Sequence, residues 1–324
     1  MNTFKSVTVF APATVANVGS AFDVLGFALE SPGDTVTASW STLCGVQISE
    51  IKGSSIQLPT DPDKNTASVS VQTLLRNVSK EDWKTLRLDE RGISLSIQKG
   101  LPIGSGLGSS SASTVAAVVA ANTLLGELFN KSDLLPFAME GERIACGAAH
   151  ADNVAPSLLG GFILIRSYSP LDIIPLPCPS SLYVALITPD IEVRTSDARR
   201  ILKQAVPLED AIKQWGNVAA LIAGIFKNDI NLIGRSLEDR IIEPNRADLI
   251  PGFYDLRKAA HDEGALGFAI SGSGPTTFAV CASEETAQKV AKALTSTCNK
   301  LGLEGRSFYS RINPLGAVVT ETMV

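Results

Sequence analysis

The residues best suited to chemistry stand at 101–113, Leu-Pro-Ile-Gly-Ser-Gly-Leu-Gly-Ser-Ser-Ser-Ala-Ser. Gly104, Gly106 and Gly108 let the backbone approach a bound group closely, because glycine has no Cβ. Ser109, Ser110 and Ser111 follow, where an Ala- and Val-rich run begins, so they would open a helix. The first N–H groups of a helix have no internal partner and lie at the positive end of its dipole, which favours an anion there. The serine hydroxyls could add hydrogen bonds or reach a magnesium ion. The stretch formed by Pro102, Ile103, Gly104, Ser105, Gly106, Leu107, Gly108, Ser109, Ser110, Ser111 and Ala112 therefore reads as a phosphate cradle. It is not a G-x-x-x-x-G-K-[ST] loop. The third glycine of G-x-G-x-x-G is replaced by Ser109, which disfavours a dinucleotide fold.

A strand must lead into this loop and a helix must leave it. Ile93, Leu95 and Ile97 alternate with Ser94, Ser96 and Gln98, the period of a half-buried strand. Residues 111–129 are rich in Ala, Val and Leu, contain no Pro, and are long enough for a buried helix. Residues 131–146 open on Ser132-Asp133, a capping pair, and read as a second helix. Residues 6–11 read as a strand, and 35–40 with 45–51 as a strand pair. In the second half, strands are expected at 162–168, 182–187, 268–270, 277–281, 305–309 and 316–321. Helices are expected at 208–226, 230–237, 252–263 and 284–301. The pattern is mixed α+β in two halves. It changes softly between Gly161 and Pro179, and we divide the chain into residues 1–166 and 167–324.

With 324 residues the chain exceeds one ordinary core. A hydrophobic share of 45% against 19% charged suits a folded chain rather than a disordered one. The net charge of -5 and pI near 5.2 leave no basic field for nucleic acid. Cys44, Cys146, Cys178, Cys281 and Cys298 are scattered and form no C-x-x-C pair, which argues against a disulfide framework or a zinc site. With His150 and His261 the only histidines, a His-rich metal centre is excluded, and a magnesium site of oxygen ligands is the natural alternative. The first residues contain no apolar run of signal-peptide length and no segment approaches a membrane span, so a cytoplasmic protein is expected.

The loop and its small-residue helix resemble the central motif of the GHMP kinases, the family of galactokinase, homoserine kinase, mevalonate kinase and phosphomevalonate kinase. Two further stretches resemble the family's other motifs in the same order: Pro12-Ala-Thr-Val-Ala-Asn-Val-Gly-Ser-Ala-Phe-Asp-Val-Leu-Gly26 and Ala269-Ile-Ser-Gly-Ser-Gly-Pro-Thr-Thr-Phe-Ala279. Together the three span almost the whole chain. The resemblance implies an α+β, two-domain GHMP kinase fold. Its N-terminal domain would be a mixed β-sheet and helix layer carrying the Gly/Ser-rich phosphate loop and binding ATP. Its C-terminal domain would be a ferredoxin-like α+β sandwich.

Within the family the pattern resembles that of the homoserine kinases. Glu142 precedes His150-Ala-Asp-Asn-Val-Ala-Pro156, and the resemblance implies that Glu142 and a loop serine, Ser109 in the first instance, hold magnesium on the ATP phosphates. The family loop often ends Ser-Ser-Ala or Ser-Ser-Gly, whereas here it runs Ser109-Ser110-Ser111, so the choice of serine stays open. His150 is implied near the reacting end of the substrate. Thr195-Ser-Asp-Ala-Arg199 and Glu243-Pro-Asn-Arg246 resemble two family stretches whose arginines suit bidentate capture of a carboxylate. Asn17 and Asp23, from the first motif, offer an amide and a carboxylate to an ammonium group. An amino acid, L-homoserine, is thus expected to be held at both ends.

The implied reaction moves the γ-phosphate of ATP to a side-chain hydroxyl, a step that needs alignment and charge neutralisation more than covalent chemistry. No dedicated aspartate base is implied, and Lys99 is a further candidate for stabilising charge. Two other readings are open: a GHMP kinase for an isoprenoid or sugar alcohol, and a non-catalytic ligand sensor on the same fold. The paired arginines speak against the first, and the presence of Glu142 and the loop serines against the second. A homodimer is compatible with the sequence, which does not decide assembly.

Overall fold

The first strand, β1 (Ser6–Ala16), runs antiparallel to β2 (Leu25–Ser41), and the first motif covers the end of β1, the turn and the start of β2. β3 (Gly45–Lys52), helices α1 (Thr66–Arg76) and α2 (Lys80–Thr85), and β4 (Gly92–Gln98) follow. The phosphate loop then enters α3 (Ser109–Leu124). A 3-10 turn leads to α4 (Leu135–Cys146), then come α5 (Ala151–Leu159), β5 (Phe162–Tyr168) and β6 (Leu171–Leu176). The second half contains β7 (Tyr183–Pro189), α6 (Thr195–Arg200), α7 (Leu208–Lys227), α8 (Ile230–Arg235), α9 (Glu243–Arg246) and α10 (Phe253–Asp262). It closes with β8 (Gly267–Ile270), β9 (Thr277–Cys281), α11 (Glu284–Lys300), β10 (Gly305–Arg311) and β11 (Val318–Met323). This computed structural model describes residues 4–147 and 150–324.

Seven strands form the first sheet, in the order β11-β1-β2-β4-β3, with β5 on the first half of β2 and β6 beyond it. The expected pairing of 35–40 with 45–51 is corrected here. β4 lies between them, antiparallel to β2 and parallel to β3. Ile93, Leu95 and Ile97 are all buried, as a central strand requires, while β3 is largely exposed, as suits an edge. The division at 166/167 falls inside β5, and the first sheet takes β6 and β11 from beyond it.

The second sheet has the order β10-β7-β9-β8, all antiparallel. Numbered within this half, that is 4-1-3-2 with a helical connection after the first and third strands, the expected ferredoxin-like sandwich. One face packs on α10 and α11 through Ala185, Ile187, Phe268, Leu256 and Leu294. The other face, with Leu186 and Phe278, joins the main core. There the Phe278 ring meets Phe27 at 5.8 Å, and Phe27 meets Phe162 at 4.9 Å. The two halves therefore share one apolar seam, and the cleft above it has stiff walls.

Helix α3 is buried on every side, between β1 and β2, α1, α4 and α5. Its Ala, Val and Ser side chains are small, which lets these five neighbours approach it. It ends at Leu124, short of the expected 129, because Gly126 and Glu127 take positive φ. α1, which no periodicity marks, is started by Asn65, whose side chain accepts from the N–H groups of Ala67 and Ser68.

Candidate active site

The loop at 101–108 is gripped by the other two motifs. Thr14 N–H donates to the Leu107 carbonyl (3.1 Å), Thr276 N–H to Ser105 (3.2 Å), and Ser271 Oγ to Gly106 (2.7 Å). Gly106 and Gly108 have φ of 79° and 66°. A Cβ on Gly106 would stand 2.4 Å from the Ser271 carbonyl oxygen. One on Gly108 would stand 2.3 Å from Thr14 Oγ1 and 2.9 Å from Asn153 Oδ1. Left-handed backbone and close protein neighbours each call for glycine at these two positions. Gly108 is also the N-cap of α3 and carries no side chain, so no cap competes for the N–H groups of the first turn.

Helix α3 presents its three serines differently. Ser109 Oγ turns back to the Leu101 carbonyl (3.3 Å), whereas Ser110 Oγ and Ser111 Oγ donate to Glu142 Oε2 at 2.9 and 2.8 Å. Ser111 is fully buried, while Ser110 and Glu142 both line the cleft. Lys99, expected at the phosphate, is 5% exposed and spends its ammonium on Asp34, on Ser113 Oγ (2.8 Å) and on the Ser109 carbonyl (2.7 Å). Asp34 in turn accepts from Ser113 Oγ (2.6 Å), Gly100 N–H (2.9 Å) and Leu101 N–H (3.2 Å). Burial pulls the Lys99 pKa down, and Asp34 partly offsets this. The pair fixes the end of β4 to the start of α3.

On the other side of the cleft, Asp23 and Arg199 form two hydrogen bonds, from Nη1 at 3.0 Å and Nη2 at 2.8 Å. Asn17 sits beneath them, with Oδ1 accepting from Asp23 N–H (3.0 Å) and Nδ2 donating to the Gly272 carbonyl (2.7 Å). Arg246, 3% exposed, donates to the same Gly272 carbonyl (2.9 Å) and to Ala198 (3.2 Å). The two guanidiniums share the Phe22 ring, at 4.9 Å from Arg246 and 5.4 Å from Arg199. Burial, followed by repulsion from Arg199, pushes Arg246 down to about 10. Arg199 sits above its ordinary value: burial opposes its charge, but Asp23 outweighs burial.

Helix α9, which carries Arg246, is held from below. Asp239 accepts from the N–H groups of Ile241, Ile242 and Glu243, and from Gln214 Nε2 on α7 (2.9 Å). Gln214 also donates to the Ser20 carbonyl (2.7 Å), so one α7 amide ties the first motif to the arginine helix. Glu243 is paired with Arg257.

His150, at the N-cap of α5, is half-buried; burial and then Arg199 lower its pKa, so the ring is neutral at pH 7. Asp152 and Asn153 follow on the first turn. Burial, with repulsion from Asp23 and Glu142, pushes Asp152 up to about 7. His150, Asp152 and Asn153, with Thr195 and Ser273, line a cleft of about 330 Å³ running from the α3 N-terminus to the two arginines.

Residues 70–161 match the description "GHMP kinases N terminal domain", and residues 221–300 match "GHMP kinases C terminal". The chain is 53% identical to a homoserine kinase of Chloroherpeton thalassium over 97% of its own length and 99% of that protein. It is 41% identical to the homoserine kinase of Arabidopsis thaliana, covering 97% of this chain and 84% of the plant protein. The crystal structure of homoserine kinase from Cytophaga hutchinsonii superposes with a TM-score of 0.91 at 51% identity, over 98% of each chain. This chain belongs to the homoserine kinase branch of the GHMP kinase family.

As a GHMP kinase, the chain has the expected three motifs meeting at one cleft, with the phosphate loop at one end. Among the described residues no group of three or more His, Cys, Asp or Glu could hold a metal ion. Glu142 and Ser110 are joined by a hydrogen bond of 2.9 Å and both face the cleft beside the loop, which Ser109 also lines. Sequence reasoning passed over Asp34, Thr14, Asn153 and Asp152. Thr14 and Asn153 stood inside the quoted motifs, where their hydrogen bond of 2.7 Å was the signal to seek. Asp34, after Pro32-Gly33, reads as an ordinary turn residue and gave no signal.

Proposed function

We propose that the chain transfers the γ-phosphate of ATP to the hydroxyl of L-homoserine, giving O-phospho-L-homoserine, a step of threonine biosynthesis in the cytoplasm, and that it works as a homodimer. The observation that carries the substrate reading is the presence of two arginines, Arg199 and Arg246, and the carboxylate of Asp23 in the same cleft as the α3 N-terminus. An amino acid needs that charge set, while mevalonate and galactose do not. Relatives at 47–53% identity that bear the name homoserine kinase support it.

ATP phosphates would lie on the loop 102–112, against the first-turn N–H groups of α3. Glu142 and Ser110 fit a magnesium ion, because that ion takes few protein oxygens and completes its shell from phosphates and water. When bound, it would neutralise charge on the transferring phosphoryl group. Ser109, with its hydroxyl turned to Leu101, would contribute its N–H. Arg199 and Arg246 would clamp the substrate carboxylate. Asp23 holds Arg199 and keeps lone pairs for the ammonium. Asn17, with both ends of its amide engaged, positions Asp23 and Gly272. His150 would pack near the hydroxyl end, and Lys99 would hold the helix in place through Asp34.

In the reaction the homoserine oxygen bonds to the γ-phosphorus, the bond from that phosphorus to the ADP oxygen breaks and its electron pair stays on ADP, and the hydroxyl proton passes to solvent water. The cleft aligns these atoms. A coupled ADP-release assay across L-homoserine, L-threonine, L-serine, mevalonate, shikimate and galactose tests the reading. Turnover with L-homoserine well above the others is expected, and preference for mevalonate or galactose would overturn it.

A further inference from the structure

Helix α7 has two apolar faces. The inner one carries Ala211, Gln214, Leu221 and Ile225, buried against the core. The outer one carries Leu208, Ile212, Trp215, Ala219, Ile222 and Phe226, at spacings of 4, 3, 4, 3 and 4. That is the spacing of a coiled-coil seam. It covers the length of the helix, which at 20 residues is about 30 Å long. Leu208 is 66% exposed, Ile212 56%, Trp215 62% and Phe226 60%. A surface helix needs one apolar face; of the second, Ile222 leans on the core while Leu208, Ile212, Trp215 and Phe226 stay exposed.

We infer that the outer face of α7 is the contact between two copies of this chain, packed antiparallel across a two-fold axis near its middle. This rests on the homodimer reading and names its surface. The seam is complementary to itself in that arrangement. Trp215 faces the partner's Ala219, Ile212 faces the partner's Ile222, and Leu208 faces the partner's Phe226, so the largest side chain meets the smallest.

Charge agrees. Glu209 and Asp210 occupy the first turn and Lys227 the last. Antiparallel packing brings each acidic end to the partner's lysine and opposes the helix dipoles. Gly216 sits in mid-helix, where glycine is disfavoured, and a Cβ there would meet nothing within 4 Å. Its absence leaves room for a partner's backbone.

The area is also adequate. With about 150–250 Å² for a large aromatic and somewhat less for Leu or Ile, the strip exposes roughly 400–500 Å². Apolar patches of that size on soluble chains mark interfaces. Two strips come to about 900 Å², close to the lower bound of roughly 1,000 Å² for a specific contact, so a dimer that loosens on dilution is expected.

The test is sedimentation velocity of the full chain, with a Trp215→Glu variant and an Ile212→Asp/Trp215→Glu variant beside it. At about 50 µM the wild type should sediment with twice the 34.1 kDa of one chain. Both variants should sediment as single chains with wild-type circular dichroism and ADP release. A wild type that stays single overturns the homodimer reading and this surface with it, and would do so equally if it floated with anionic phospholipid vesicles. A wild-type dimer whose mass survives both substitutions leaves the homodimer standing and overturns α7 as its contact.

Discussion

Asp23 and Arg199, 176 residues apart in sequence, meet through two hydrogen bonds of 2.8 and 3.0 Å. The residue expected to hold the ammonium and one expected to hold the carboxylate therefore hold each other. Each side chain is partly exposed, so the pair forms part of the cleft wall rather than a sealed core pair. Removing either one releases the other, and their effects on catalysis should be coupled. Steady-state kinetics of Asp23→Asn, Arg199→Ala and the double variant should give a loss in kcat/KM for homoserine smaller than the sum of the single losses, by about 1–3 kcal/mol. Strict additivity would show that the two act on substrate independently.

Arg246 touches Gly272 and Ala198 from a buried position, beside the Phe22 ring. Arg246→Ala should raise the KM for homoserine roughly 30-fold or more, matching about 2–5 kcal/mol for a truncated, desolvated charge contact. ATP affinity, read by calorimetry, should change little. An unchanged homoserine KM in both Arg246→Ala and Arg199→Ala would remove the amino-acid reading.

The serines can be separated by their magnesium dependence. Ser110→Ala and Glu142→Gln should raise the magnesium concentration needed for half-maximal turnover, and Glu142→Gln should lower turnover about 10²-fold or more. Ser109→Ala, which loses only a bond to the Leu101 carbonyl, should keep the wild-type magnesium requirement. A magnesium shift in Ser109→Ala alone would return the role to Ser109.

Asp152 links stability to pH. Burial and two nearby carboxylates raise its pKa from 3.8 to about 7. Between those values the folded chain binds a proton that the unfolded chain has released, so this group's contribution to stability falls as pH rises from about 4 to 7. Asp152→Asn removes that dependence. In urea melts without ligands the variant should gain stability relative to wild type at pH 8 over pH 4, by an amount on the order of 4 kcal/mol. A difference that does not change with pH would mean Asp152 ionises normally.

Lys99 is predicted to act through structure. Lys99→Met would leave Asp34 buried without its cation and should cost about 3–5 kcal/mol of folding stability. Denaturant melts read this directly. Normal stability with a lost affinity for ATP would instead give Lys99 a place on the phosphates.

Most of the frame was legible along the chain. The strand before the loop, the buried helix after it and the strands of the second half each rest on local periodicity or on turn glycines, and local patterns survive in one dimension. Asn65 shows the limit, since it starts α1 through side-chain contacts with two N–H groups that composition does not flag. The order β2-β4-β3 was not readable either, because strand neighbours are chosen by which strand is apolar enough for the centre.

By itself the sequence determined the residue types: three glycines and three serines before a helix, a carboxylate at 142, and two arginines in the second half. The tertiary structure alone decided their partners. It turned Ser109 back to the Leu101 carbonyl and Ser110 and Ser111 toward Glu142, because α4 packs beside the first turn of α3 and brings the carboxylate within reach of those two hydroxyls. It assigned Lys99 to Asp34, since a buried ammonium requires an anion within reach and Asp34, 65 residues away, was the one the fold supplied. It also joined Asp23 to Arg199, because folding closes the chain so that the first motif and α6 face each other across one cleft, and opposite charges at that distance pair.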